Sequence, residues 1–143
     1  MTPSHVLVPL DGSPLAADAL VYALDVFDCR ITVLNVVTPI DVKMSEGGIL
    51  EPEMSRLEEA NERAERLIER ARVRAEAADR TVETAIETGD PAETILAYIE
   101  GSDVDQVVMG SHGGPRTGVV RRLLGTVATT VTGESPVPVT VVQ

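Results

Sequence analysis

The chain has 143 residues, the length of one ordinary domain, and its apolar fraction of 43% is too high for a disordered chain. Its formal net charge of −11 repels phosphate backbones, which argues against general nucleic-acid binding. Because Cys29 is the only cysteine, the chain can form neither an intrachain disulfide nor a cysteine metal cluster. The sequence contains no run of about eighteen apolar residues, the length that a membrane-spanning helix requires. We expect a single domain over residues 1–143, without a secretory signal and located in the cytoplasm.

The acidic residues outnumber the basic ones by 23 to 12, and Lys43 is the only lysine. A surface rich in carboxylates and poor in lysine is typical of halophilic proteins, in which dense carboxylates keep the surface hydrated. An ordinary acidic protein is the alternative interpretation. Cys29 is expected to be a small, buried, apolar residue.

The first element is the short apolar run from His5 to Leu10, which predicts a strand. The segment Asp11–Pro14 ends it, and Ser13 and Pro14 are typical of the cap and first position of a helix. Apolar residues then recur at helical spacing and predict a helix that runs to about Phe27.

A β-branched run from Ile31 to Val37 predicts the second strand, and Asp41–Pro52 is expected to be a long loop. Residues 53–79 predict one long helix with a solvated face. Its predicted inward residues are Met54, Leu57, Ala60, Ala64, Leu67, Ala71, Ala75 and Ala78. Its predicted surface ion pairs are Glu59–Arg63, Glu62–Arg66 and Arg72–Glu76.

The remaining strands are predicted over Thr81–Thr88, Val104–Met109 and Val137–Val142. Asp90 is expected to cap the helix between the first two, and a last helix is expected from Val119 or Gly125 to Thr132. Strands joined by helices predict an α/β domain with a parallel sheet, right-handed crossovers and helices on both faces. Ligands bind such sheets beyond the carboxyl ends of the strands, where neighbouring connections diverge.

The strongest candidate site is the glycine-rich segment Gly110–Gly118, together with Gly125 and Thr126 at the start of a helix. Glycines let backbone N–H groups turn toward an anion, a helix N-terminus adds partial positive charge, and Thr126 can add a hydroxyl donor. Three of the chain's few cations also lie here: Arg116, Arg121 and Arg122. This pattern predicts a phosphate site, and a flexible surface loop is the alternative.

Two further positions fall at strand ends. Asp11 can accept hydrogen bonds from ribose hydroxyls or hold a hydrated Mg²⁺ beside phosphates, although Asp before Gly is also ordinary turn chemistry. Val36 and Val37 can offer backbone groups to a base edge, although most valines at strand ends belong to the core.

Six short segments occur in a characteristic order over essentially the whole chain: Val8–Ser13, Leu34–Val37, Gly89–Pro91, Val108–Gly113, Leu123–Val127 and Pro136–Val139. Taken together, they resemble the universal stress protein family. The resemblance implies a Rossmann-like fold of the adenine nucleotide alpha hydrolase type, with five parallel strands in the order 3-2-1-4-5. It also implies a homodimer formed through the last strand, Val137–Val142.

The ATP-binding branch of this family has a glycine signature that Gly110, Gly113 and Gly125-Thr126 match. The resemblance further implies that Asp11 lies beside the ribose, that the backbone of Val36 meets adenine, and that Met109 and Val127 flank the ligand. The full set of candidate residues for binding ATP or another adenine nucleotide is Pro9, Leu10, Asp11, Val36, Met109, Gly110, Gly113, Arg116, Gly125, Thr126 and Val127. Mg²⁺ would enter with the nucleotide, beside Asp11.

The sequence departs from that signature at one place. Eleven residues separate Gly113 from Gly125, where the family has nine, and the surplus is most simply placed at Gly114-Pro115. Proline has no N–H and a fixed φ, so this insertion can remove a phosphate donor or reshape the nest.

Rival functions lack their required residues. A nucleotidyltransferase needs a histidine pair near the first strand, a phospho-receiver domain needs a lysine after the fifth, and a flavin carrier needs aromatic residues. No Walker A sequence is present, and His112 has no evident catalytic partner. We therefore expect a regulatory stress-response module with at most weak ATP hydrolysis. The alternatives are a dimeric interaction module that binds no nucleotide and a slow Mg²⁺-dependent ATPase.

Overall fold

A computed structural model describes residues 2–38, 53–111 and 125–143, and strands alternate with helices along these ranges. The strands are β1 (His5–Pro9), β2 (Arg30–Val37), β3 (Glu83–Thr88), β4 (Gln106–Gly110) and β5 (Val139–Val142). The helices are α1 (Pro14–Val26), α2 (Glu53–Ala77), α3 (Pro91–Glu100) and α4 (Thr126–Glu134). The predicted loop over Asp41–Pro52 lies outside the described residues.

The five strands form one parallel sheet in the order β3-β2-β1-β4-β5, which confirms the predicted α/β fold and strand order. β1 lies at its centre, where the side chains of Val6, Leu7 and Val8 are fully buried. Helices α1 and α2 cover one face of the sheet, and α3 and α4 cover the other. Because the helices that follow β1 and β4 in the sequence lie on opposite faces, a crevice opens between these two strands at their carboxyl ends.

Helices α1 and α3 begin at the positions that the capping residues Ser13 and Asp90 predict. Ser13 Oγ accepts a hydrogen bond of 3.2 Å from the backbone N–H of Ala16, and Asp90 Oδ2 accepts one of 3.0 Å from Glu93. A proline follows each cap at the first helical position, where its missing N–H costs no hydrogen bond.

Helix α2 buries a stripe that differs in part from the predicted one. Ala60, Ala64, Ala71 and Ala75 are buried as expected, but Ile68 is buried and Leu67 only partly so. Leu57 is 42% exposed and Ala78 is exposed, so those two predictions were wrong. The buried stripe of α2 therefore consists of four alanines and Ile68.

The predicted surface ion pairs of α2 were also wrong. Neither the Glu59–Arg63 pair nor the Glu62–Arg66 pair is found within the ranges that the structure describes. Arg72 contacts Glu69 Oε1 at 3.2 Å instead of Glu76, and its other terminal nitrogen donates to Thr84 Oγ1 of β3 at 3.0 Å.

A polar network closes the amino end of the sheet. His5 is buried, with Nδ1 2.6 Å from Asp103 Oδ1 and Nε2 2.7 Å from Thr32 Oγ1. Arg30 of β2 donates to Glu83 Oε2 of β3 at 2.6 Å and to Asp103 Oδ2, before β4, at 3.0 Å. Strands β1, β2 and β3 and the segment before β4 are thereby tied together.

The carboxylates of this network are stabilised in their charged form. The hydrogen bond from His5 holds the pKa of Asp103 below its ordinary value, with the charge of Arg30 adding to the effect. The hydrogen bond from Arg30 lowers the pKa of Glu83 in the same way. Backbone N–H groups of Ser4 and His5 lower the pKa of Asp105.

Cys29 is only partly buried, whereas the sequence predicted a buried residue. Burial raises the pKa of its thiol, and the charge of Asp105 adds to that effect. None of the helices in the described ranges combines the length and apolar character that crossing a bilayer requires.

We expect the amino-end network to make the free energy of unfolding depend on pH. Because the pKa values of Asp103 and Glu83 are lower in the folded state, their contribution is fully present above their ordinary pKa values, about 3.9 and 4.3. It is lost as pH falls through the lower folded values. Urea unfolding of Arg30→Gln between pH 7 and pH 3 should therefore show lower stability at pH 7 and a shallower fall than the wild type. Arg74→Gln, on the exposed surface of α2, is the matched control, and an Arg30→Gln curve parallel to the wild type would contradict the assignment.

Candidate functional site

A cavity of about 700 Å³ lies at the carboxyl ends of β1, β2 and β4, and its walls include one side of α2 and the start of α4. This volume falls within the range typical of small-molecule sites. Nine predicted site residues meet there: Pro9, Leu10, Asp11, Val36, Met109, Gly110, Gly125, Thr126 and Val127. The other two, Gly113 and Arg116, lie outside the described residues, as does the insertion at Gly114-Pro115.

Asp11, in the turn after β1, both stabilises the turn and remains accessible to a ligand. Its Oδ1 accepts a hydrogen bond of 2.9 Å from the N–H of Ser13, which is the turn chemistry expected of Asp before Gly. The side chain is nevertheless exposed on the cavity wall. Gly12 has a φ of +87°, and a Cβ there would lie 3.4 Å from Leu67 of α2. The turn therefore packs directly against α2.

Asn35 holds the end of β1 in place and was missed by the sequence analysis. Its side chain is buried, and its Nδ2 donates a hydrogen bond of 2.7 Å to the carbonyl oxygen of Leu10. The N–H of Leu10 donates to Leu34 O at 2.8 Å. A polar residue in the middle of an apolar strand is the sequence signal that could have identified this position.

The backbone of Val36 faces the cavity side of β2. Leu34 O faces β1, since it accepts from Leu10, whereas Val37 O faces β3, since it accepts from Gly89 at 3.0 Å. Backbone groups of successive strand residues point to opposite sides, so those of Val36 point toward β1. The last residue pair between the two strands is Pro9↔Leu34, so Val36 lies beyond the end of β1.

Position 110 requires a glycine, because the end of β4 packs against the backbone of α1. A Cβ at this position would lie 2.8 Å from the carbonyl carbon of Leu15 and 2.9 Å from the backbone nitrogen of Ala16. Such distances are too short for any side chain, because both atoms belong to the backbone of α1. The end of β4 therefore touches the first turn of α1, which brings the two walls of the crevice together.

Helix α4 begins at the cavity without a side-chain cap. Its N-cap residue is Gly125, whose N–H donates to Ser111 O at 2.6 Å and whose carbonyl accepts from Thr129 at 2.9 Å. The N–H groups of the first helical residues, Thr126, Val127 and Ala128, have no partner within the helix. Since Ser13 and Asp90 cap α1 and α3, this start is different in kind.

Ser111 links that helix start to the sheet. It is fully buried, and its N–H donates to Val142 O of β5 at 2.9 Å while its carbonyl accepts from Gly125. In the sequence, Ser111 stood out only as part of the glycine-rich segment, since nothing in the residue type indicates this role.

Three arginines of α2 also line the cavity and were missed: Arg63, Arg66 and Arg70. Their spacing of i, i+3 and i+7 places them on one stripe of the helix, and this spacing is visible in the sequence. Arg63 and Arg66 were interpreted there as members of surface ion pairs. Within the described ranges, no three His, Cys, Asp or Glu side chains come together as metal ligands.

Comparison with known proteins gives consistent results. The sequence model of the universal stress protein family matches residues 3–143. Universal stress protein MJ0531 of Methanocaldococcus jannaschii is 30% identical over 142 residues, which cover 96% of this chain and 81% of the relative. The solved structure of the protein MJ0577 has 29% identity and a TM-score of 0.81, covering 99% of this chain and 96% of its own. A universal stress protein family protein from Arabidopsis thaliana, solved with AMP bound, has the same fold at 19% identity and a TM-score of 0.66, covering 98% and 91%.

We expect Gly110→Ala to lower the free energy of unfolding by about 1–3 kcal/mol, because the new methyl group must displace the backbone of α1. Gly133→Ala is the matched control, since a Cβ at Gly133 of α4 meets nothing within 4 Å. That control should be neutral or raise stability by about 0.5–1 kcal/mol, the usual gain of alanine over glycine in a helix. Urea unfolding measures both, and equal stability of the two variants would show that β4 can move away from α1 without cost.

Proposed function

The chain belongs to the universal stress protein family, and from this premise we propose that it binds ATP or another adenine nucleotide in the cavity at the carboxyl ends of the strands. In this proposal it acts as a regulatory module of a stress response. Binding of AMP by the Arabidopsis relative supports the choice of an adenine nucleotide.

The observation that carries the proposal is the uncapped start of α4. Three N–H groups at a helix N-terminus, together with the partial positive charge of the helix dipole, form a ready site for a phosphate. The exposed Thr126 hydroxyl adds a further donor at the same place. A glycine at the N-cap leaves room for the anion, where Ser or Asp would satisfy these donors from within the chain.

The opposite part of the cavity suits the base and the sugar. The N–H and carbonyl groups of Val36 point into the space beyond β1 and can pair with the edge of adenine. Asp11 can accept from ribose hydroxyls, because its side chain is exposed and only its Oδ1 accepts from Ser13. Where Mg²⁺ accompanies the nucleotide, the Asp11 carboxylate would lie nearest to hold it through water.

We also propose a homodimer through Val137–Val142. β5 is an edge strand, and its four residues are only partly buried. Pro138 O and Val142 O accept from β4 and from the residue that follows it, so the backbone groups of Val139 and Val141 point to the free edge. A free edge of this kind is a site for pairing with a second chain.

Thr126→Pro tests the helix start directly. Proline is well suited to the first helical position, and Gly125 already has the extended backbone, with ψ at 168°, that proline requires before it. The variant should keep its fold while losing one N–H and the hydroxyl, and its affinity for ATP should fall about tenfold or more. Thr126→Val removes only the hydroxyl and should lose less.

Isothermal titration with ATP and Mg²⁺, at high and low salt, measures these affinities. Thr129→Ala, one turn further along α4 and outside the cavity wall, is the matched control and should bind as the wild type does. A folded wild-type chain that binds no adenine nucleotide would contradict the proposal and favour the interaction module. Release of inorganic phosphate during the titration would identify a slow ATPase.

For the dimer, sedimentation velocity of the wild type should show a dimer that dissociates on dilution. Val141→Pro removes an N–H that points to the free edge and leaves the pairing with β4 intact, so it should shift the chain to the monomer. Circular dichroism checks its fold. A wild type that sediments as a monomer at every concentration would exclude this interface.

A further inference from the structure

Three arginines form a cationic stripe on the side of the cavity opposite to the start of α4. Arg63, Arg66 and Arg70 follow one another along about 10 Å of α2. Leu67 lies between them and packs against Gly12 of the turn after β1, which fixes the stripe beside that turn. Helix α2 lies on one face of the sheet and α4 on the other, so the cavity has two separate walls that attract anions.

The three arginines make no hydrogen bond or ion pair with the residues that the structure describes. Two other arginines do form such contacts, since Arg72 of α2 binds Glu69 and Thr84, and Arg30 at the amino end binds Glu83 and Asp103. Asp11 is the one carboxylate on the described cavity wall, and its Oδ1 already accepts from Ser13.

The positive charge of this stripe is opposite in sign to the net charge of the chain. The protein carries a net charge of −11, yet three guanidinium groups lie within one helical stripe on the cavity wall. Like charges three and four residues apart on a helix repel one another, so the stripe costs free energy when nothing neutralises it. An anion between the guanidinium groups removes that repulsion and forms charge-assisted hydrogen bonds, for which the planar guanidinium is well suited.

We propose that Arg63, Arg66 and Arg70 form a second anion subsite, which binds a phosphate group other than the one held at the start of α4. The inference rests on the proposed function, because it assumes that a nucleotide occupies the cavity. Its consequence is a specificity: nucleotides with more than one phosphate bind more tightly than nucleoside monophosphates, and the arginines supply the difference. The second phosphate can belong to the 5′ chain, as in ATP, or to the ribose, as in adenosine 3′,5′-bisphosphate.

The experiment compares three ligands by isothermal titration without divalent metal, so that only the protein neutralises the phosphates. The ligands are AMP, ATP and adenosine 3′,5′-bisphosphate, and the quantity of interest is the ratio of each dissociation constant to that of AMP. For the wild type, at least one of the two larger ligands should bind about tenfold or more tightly than AMP. The ligand that gains identifies the position of the second phosphate.

The triple variant R63Q/R66Q/R70Q should bring that ratio close to one, and each single substitution should reduce the preference by a few-fold. Arg74→Gln removes a charge from the same helix outside the cavity wall and should leave the ratio as in the wild type. Raising the salt concentration should weaken the wild-type preference and have less effect on the triple variant. Circular dichroism confirms that each variant is folded.

The outcomes separate the two levels of the proposal. If AMP and ATP bind but the triple variant keeps the wild-type ratio, the second subsite is wrong and nucleotide binding stands. The second subsite is also wrong if all three ligands bind the wild type equally. If none of the three ligands binds the folded wild type, the proposed function itself is wrong.

Discussion

The contact between the end of β4 and the first turn of α1 determines the shape of the crevice. Gly110 lies against the backbone of Leu15 and Ala16, at distances that no side chain would allow. Helix α4, which follows β4 in the sequence, lies on one face of the sheet, whereas the turn after β1 leads to α1 on the other face. Because these two helices lie on opposite faces, the turn after β1 and the start of α4 line a common cavity.

The two ends of the sheet differ in how they use polar groups. At the amino end, Arg30, Asp103 and Glu83 satisfy one another and stabilise the fold. At the carboxyl end, no side chain caps the N–H groups that begin α4, and the described residues form no ion pair with the guanidinium groups of Arg63, Arg66 and Arg70. A binding site needs polar groups that remain available to a ligand, and the apolar core stabilises the fold without them.

Charge separates the cavity from the remaining surface. A chain with 23 acidic and 12 basic residues repels anions at long range, yet the cavity wall carries three arginines and one aspartate among its described residues. Screening by salt weakens the long-range repulsion more than the short-range contacts inside a cavity. Anionic ligands that reach the cavity therefore meet a local field opposite in sign to that of the whole protein.

Much of this could be predicted from residue pattern alone. Hydrophobic periodicity, the caps Ser13 and Asp90, and the alternation of strands and helices determined the class of fold, because these signals depend on neighbours in the sequence. The strand order came from the ordered resemblance to a family. That resemblance also added Pro9, Leu10, Met109 and Val127 to the cavity residues that residue type and position at strand ends had already predicted. Tertiary structure alone decided that Ile68 and not Leu67 enters the core, that Asn35 binds Leu10, and that Gly110 touches α1. It also decided that Arg63 and Arg66 face the cavity and form no pairs with Glu59 and Glu62, because the direction of a helix face depends on how that helix packs against the sheet.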